Sequence, residues 1–205
     1  MKKKRVLYGQ AVYGKKEIQA SVNVLKKNSY NLIDGPAVKK LEQKIAYTFG
    51  KKYGLMVNSG SSANLLAIAS LDLKKGSEII TPTLTFSTTI APIYQLGYKA
   101  HFVDVGYNDF IANTKQIEES VTKNTSAIMI PNLLGNIADW KKICKIAKKY
   151  NLKIIEDSAD TVGYKSNGKK LGSFSDITTN SMYASHIITG AGFGGMLCFN
   201  DYKLY

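Results

Sequence analysis

A chain of 205 residues, 44% hydrophobic and 21% charged, is long enough to bury one α/β core and too apolar to stay disordered. The net charge of +13 invites a nucleic-acid reading, but beyond the first five residues the lysines fall in pairs, at 15/16, 26/27, 39/40, 141/142 and 148/149, with apolar residues between them. Such pairs read as solvated helix faces, with a smaller part of the excess drawing in an anionic substrate, so neither nucleic acid nor a membrane is an expected partner. Met1-Lys2-Lys3-Lys4-Arg5 is the one candidate targeting signal; no long apolar run follows it, so a cytoplasmic protein is expected.

In chain order, apolar strand-like runs occur at Tyr53 to Val57, Glu78 to Thr81, Ala100 to Val105, Ala127 to Pro131 and Leu152 to Glu156. Helix-like segments lie between them: Ser61 to Leu73, Ser87 to Leu96, Thr114 to Val121 and Ile137 to Tyr150. This alternation predicts right-handed βαβ units around a mostly parallel sheet, with ligand groups gathered at the carboxyl ends of the strands. In the last helix, Trp140, Ile143, Cys144, Ala147 and Tyr150 recur at helical spacing and are expected to share a buried face. Met196 to Phe199 reads as a buried strand, and the two cysteines, Cys144 and Cys198, read as core and not as a disulfide or metal framework.

Several turns after strands carry chemistry. Asn58-Ser59-Gly60-Ser61-Ser62-Ala63-Asn64 is a small-residue turn into a helix, suited either to a phosphate on free amides or to a plain serine cap. In Thr81-Pro82-Thr83-Leu84-Thr85-Phe86-Ser87-Thr88-Thr89, Phe86 can stack on a flat heteroaromatic ring or simply pack. Ile154-Ile155-Glu156-Asp157-Ser158-Ala159-Asp160 brings three acids to a strand end, where an N-cap and a magnesium site are alternatives. Strand alternation points the side chains of Glu156 and Asp157 in opposite directions. Ser181-Met182-Tyr183-Ala184-Ser185-His186 then runs into the glycine-rich Gly190 to Gly195.

These segments, together with Gly172-Ser-Phe-Ser-Asp176, resemble in order and spacing the DegT/DnrJ/EryC1/StrS family of sugar aminotransferases over nearly the whole chain. The resemblance implies an α/β fold, the large domain of an aspartate-aminotransferase-like (fold type I) pyridoxal-phosphate enzyme, with helices on both faces of its sheet. It implies an N-terminal arm and helix over 1–28 and a cofactor-binding large domain over 29–205, cut short at its C-terminal end, with the smaller C-terminal domain absent. By position, Gly60, Ser61 and Ser181 match the phosphate-holding residues, Phe86 the aromatic on the cofactor ring and Asp157 the acid at the ring nitrogen. Asp160 stands where aminotransferases usually carry glutamine, near the ring hydroxyl.

His186 stands where those enzymes carry the lysine that links covalently to the cofactor, and from Leu171 to Tyr202 there is no lysine to replace it. An imidazole moves protons but forms no such linkage, so pyridoxal or pyridoxamine phosphate is expected to be held non-covalently. The resemblance is to the histidine-bearing 3-dehydratase branch, which removes the C3 hydroxyl of a nucleotide-linked 4-keto-6-deoxyhexose in deoxysugar and O-antigen synthesis. It implies a nucleotide-diphosphate keto-sugar substrate and a homodimer at full length. A glutamate-dependent subtype and one with a partner reductase and an iron-sulfur cluster beyond Tyr205 are both open. A pyridoxal-phosphate-dependent aminotransferase of nucleotide-linked keto-sugars is one alternative, and a non-catalytic family member decayed from a lysine-bearing ancestor is another.

Overall fold

The computed structural model describes residues 5–7, 9–166 and 168–204; Met1 to Lys4 of the basic N-terminal run lie outside them. Helices α1 (Lys15–Lys27) and α2 (Pro36–Phe49) precede strand β1 (Tyr53–Val57). There follow α3 (Gly60–Ala69), β2 (Glu78–Pro82), α4 (Ser87–Gln95), β3 (Lys99–Val103), α5 (Thr114–Glu119), β4 (Thr125–Pro131), α6 (Trp140–Tyr150) and β5 (Lys153–Asp157). A small hairpin, β6 (Lys165–Ser166) and β7 (Lys169–Lys170), leads to β8 (Ile177–Ser181) and β9 (Gly195–Phe199). Among the described residues no helix is long and apolar enough to cross a membrane.

The seven-stranded sheet has the order β1-β9-β8-β5-β4-β2-β3. Strand β9 runs antiparallel to both β1 and β8, and every other neighbouring pair is parallel. That reversal matters for position. Val57 and Ser181 both pair with Gly195, so the carboxyl ends of β1 and β8 flank the start of β9.

Alternating strand residues feed two cores. One side packs Ala63, Ala67 and Ile68 of α3 and Ile93 of α4 on Ile79, Met129, Ile155 and Leu197. The other packs Phe49 of α2, Ile117 of α5, and Trp140 and Ile143 of α6 on Ile80, Ile128, Ile154 and Cys198. Each large apolar side chain removed from water stabilises the fold by roughly 1.5–3 kcal/mol. Helix α1 buries none of its residues.

The expected strands and helices all form, with shifted ends. α3 stops at Ala69 and not Leu73, because Asp72 turns left-handed at φ 45°. α6 starts at Trp140 because Asp139 caps it, its carboxylate accepting from Lys142 N. Two expected core positions differ. Tyr150 is exposed at the last turn of α6, and Cys144 is only half-buried, its thiol donating to the Phe174 carbonyl at 3.1 Å. Cys198 is fully buried.

Among the described lysines, Lys51 alone is buried. It is 6% exposed, and its ammonium donates to the carbonyls of Ser175 and of Asp176, the latter at 3.1 Å. Burial lowers it to about 8, opposed by the attraction of Glu156 and Asp176. Glu156 lies on the same side of the sheet and is raised to about 7 by burial, with Ser158 and the Lys51 charge pulling the other way.

The sign of the pH dependence follows. Between pH 4.5 and about 7 the folded chain keeps a proton on Glu156 that the unfolded chain has released, so stability falls as pH rises. Asp157, also raised, adds in the same direction. Between about 8 and 10.5 the unfolded chain keeps a proton that folded Lys51 has lost, so stability climbs again. Urea titrations across this range should show the fall and the recovery, and Glu156→Gln should flatten the first leg and, by removing a charge that holds Lys51 up, start the second at lower pH. An unchanged first leg would mean that Glu156 titrates as an ordinary carboxyl.

Candidate functional site

The segments singled out in the sequence meet at the carboxyl edge of the sheet. β1 ends into Ser59, whose hydroxyl accepts from Ser62 N at 3.1 Å and caps α3. The first amides of the helix, at Gly60 and Ser61, have no acceptor within it and carry the positive end of its dipole. Gly60 lies against Ser181 at the end of β8; a Cβ there would sit 2.6 Å from the Ser181 Cβ. Gly195, which joins the two strand ends, leaves room for the Ser59 carbonyl. Two glycines thus bring the first amides of α3 alongside Ser181.

Asp157 ends β5 on the α3 and α4 side of the sheet, with Glu156 on the opposite face. Its Oδ2 accepts from Asn64 Nδ2 at 2.9 Å and from Thr89 Oγ1 at 2.8 Å, and Oδ1 accepts from Ala159 N at 3.2 Å. Asn64 is held in turn by Thr179 Oγ1 at 2.6 Å. Burial still pushes the carboxyl up in spite of these donors, since no cation faces it among them. A ligand that brought a protonated nitrogen to this carboxylate would supply the missing charge. Phe86, the N-cap residue of α4, is 68% exposed and has its ring free for a flat partner.

His186 follows β8 in a turn, its amide donating to the Tyr183 carbonyl at 2.9 Å and its ring edge-on to Tyr183. Nε2 lies 3.8 Å from Asp160 Oδ1, an electrostatic contact and not yet a hydrogen bond. Nδ1 is buried and has no hydrogen-bond partner. Asp160 Oδ2 accepts from Leu134 N at 3.0 Å. The Asp160 carboxylate thus faces Nε2, while Nδ1 is left without a hydrogen-bond partner.

Gly60 thus meets Ser181, and His186 meets Asp160; Phe86 and Asp157 are tied through α4, where Thr89 sits three residues beyond Phe86. The sequence reading missed Asn64 and Thr89 as holders of Asp157, although both stand in the segments quoted. Nothing in the sequence pattern marked Lys51. An anion cradle, a buried carboxylate lacking a cation, an exposed aromatic face and an unpartnered imidazole nitrogen together suit a phosphorylated aromatic heterocycle.

The DegT/DnrJ/EryC1/StrS aminotransferase family model matches residues 12–205. The GDP-4-keto-6-deoxy-D-mannose 3-dehydratase of Yersinia pseudotuberculosis is 35% identical over 201 residues, 95% of this chain and 50% of that protein. The dTDP-3-amino-3,6-dideoxy-alpha-D-galactopyranose transaminase of Aneurinibacillus thermoaerophilus is 36% identical over 189 residues, covering 92% and 52%. The structure of the E. coli GDP-4-keto-6-deoxy-D-mannose-3-dehydratase with bound hydrated PLP superposes with a TM-score of 0.90 at 37% identity, over 98% of this chain and 53% of that one. The chain therefore spans about half the length of these relatives.

The glycine contacts are directly testable. Gly60→Ala should cost about 1–3 kcal/mol of folding stability, because the new methyl must displace Ser181. Gly195→Ala should cost at least as much, since the atom in its way is the Ser59 backbone. Chemical denaturation at neutral pH measures both, and wild-type stability in Gly60→Ala would mean that the turn does not pack on Ser181.

Proposed function

We propose that this chain, which belongs to the DegT/DnrJ/EryC1/StrS aminotransferase family, is the cofactor-binding part of a nucleotide-sugar 3-dehydratase. The observation that carries this reading is His186 beside Asp160, with no lysine from Leu171 to Tyr202. Identity to relatives does not choose, since a dehydratase and a transaminase stand almost equally near. The parent protein acts on a nucleotide-diphosphate 4-keto-6-deoxyhexose, as a homodimer, in deoxysugar synthesis.

Pyridoxamine phosphate fits the site described. Gly60, Ser61 and Ser181 would hold its phosphate, Phe86 would cover its ring, and Asp157 would pair with its ring nitrogen. When bound, the cofactor supplies an amine for the sugar C4 carbonyl and a sink for electrons. Asp157 keeps that sink effective: a carboxylate beside the ring nitrogen holds the proton there, and Asn64 and Thr89 keep the carboxylate aimed. His186, with Asp160 beside its Nε2, would take a proton from the cofactor carbon that bears the amine and give it to the C3 hydroxyl, which leaves as water. A lysine at 186 would compete as a covalent partner of the cofactor, and histidine removes that option.

Pyridoxal phosphate added to the wild-type protein should change its absorbance, yet borohydride should leave no adduct detectable by mass spectrometry. His186→Lys should yield an adduct on the introduced amine. Asp157→Asn should weaken cofactor binding by roughly 1.5–3 kcal/mol, the worth of a hydrogen bond to a charged group. An adduct on a native lysine would restore the aminotransferase reading; cofactor binding without water loss from the sugar in the full-length protein would favour a non-catalytic relative.

A further inference from the structure

The turn that holds Asp160 is strained and exposed, and it is secured from inside the fold by a single side chain. Leu134 is left-handed, at φ 55° and ψ 24°, and its side chain is 71% exposed. A left-handed non-glycine residue is strained and persists only where its surroundings over-determine it. The exposed Leu134 side chain supplies little of that, yet the Leu134 amide points at Asp160 Oδ2.

The restraint comes from Asn132, 1% exposed, two residues before the turn. Its Nδ2 donates to Ser158 Oγ at 2.9 Å and to Glu156 Oε1 at 3.3 Å. Its Oδ1 accepts from Ala138 N at 3.1 Å and from Trp140 Nε1 at 3.0 Å, on the far side of the turn. Its amide donates to the Asp157 carbonyl at 2.9 Å, and its carbonyl accepts from Thr161 Oγ1 and from Gly135 N, both at 3.3 Å. One amide side chain therefore clamps both ends of the 132–138 segment to the strand that carries Asp157. Behind it, Ser158 Oγ donates to Glu156 Oε1 at 2.6 Å, and the Lys51 charge balances Glu156.

We propose that Asn132 is a positioning residue that, through Glu156 and Ser158 below and Ala138 and Trp140 above, fixes the Leu134 amide on Asp160 and thereby sets His186 as the proton-transfer group. This inference rests on the reading of His186 as the base. Asn132 touches neither cofactor nor substrate in this scheme. A purely structural asparagine would affect stability alone; a positioning one affects the environment of an imidazole on another loop.

The test reverses the polarity of the clamp. Asn132→Asp removes both donors and faces one carboxylate with another; adding Glu156→Gln restores donor to acceptor in the opposite sense, with Ser158 able to serve either arrangement. The chain holds two histidines, so ¹⁵N-histidine spectra of the ligand-free chain resolve His186 once His101→Gln identifies the other signal. Asn132→Asp should change the tautomer balance of His186, and the double variant should return it. In full-length protein given GDP-4-keto-6-deoxymannose and pyridoxamine phosphate, the single variant should lose about 10- to 100-fold in kcat with KM within roughly twofold, and the double variant should recover most of it.

Unchanged His186 signals and kcat in Asn132→Asp overturn the proposal, as does a loss that the double variant does not rescue. Should the single variant fail to fold, Ser158→Ala, which deletes the 2.9 Å contact without adding charge, replaces it; a changed His186 signal and a lowered kcat are expected, and both unchanged overturn the proposal. Wild-type protein that neither binds the cofactor nor dehydrates the sugar would defeat the reading of function, while the His186 spectra would still decide whether Asn132 controls the imidazole.

Discussion

A carboxylate taken out of water must be given partners, and the way Asp157 obtains them organises the ligand-facing side of this molecule. Its oxygens draw Asn64 from α3 and Thr89 from α4, and Asn64 reaches on to Thr179 in β8. Two helices and two strands are thereby fixed relative to one acid. The start of α3 presents its amides at Gly60 and Ser61, and the start of α4 presents Phe86. An error in the seat of Asp157 would misplace both ends of the candidate site.

The same strand carries a second buried acid with a different task. Glu156 points into the opposite core, where Lys51 offsets its charge and Ser158 and Asn132 occupy Oε1. Attraction between two buried charges that do not touch is weak evidence for stability, because desolvation offsets much of it. Its value here is geometric. Glu156 gives Asn132 an acceptor at a fixed depth, and Asn132 holds a strained turn whose left-handed residue, Leu134, is exposed. Adjacent acids in one strand thus serve the two faces of the sheet: one holds the helices of the candidate site, the other the turn that reaches Asp160.

The antiparallel insertion of β9 adds a further constraint. With β1 and β8 both running against it, their carboxyl ends come together over Gly195, and only glycine there and at Gly60 leaves space for the Ser59 carbonyl and Ser181. The phosphate-cradle geometry follows from strand direction as much as from the residues in the turn.

The alternation of strands and helices, the buried β9 and the small-residue turns were legible in the sequence because each depends on periodicity or on residues close along the chain. So were the opposed directions of Glu156 and Asp157 and the absence of a lysine around His186. Helix ends were less legible, since a left-handed Asp72 and an Asp139 cap turn on local backbone detail. The partners of Asp157 were not legible: Asn64 lies 93 positions away and Thr89 lies 68. Nor were the burial of Lys51, the half-exposure of Cys144, or the meeting of Asp160 with both His186 and Leu134. Those pairings exist only where folding brings distant segments into a space too dry for an unpaired polar group. Composition and local pattern state which chemical groups are present and on which elements they ride; folding selects which of them lose water together.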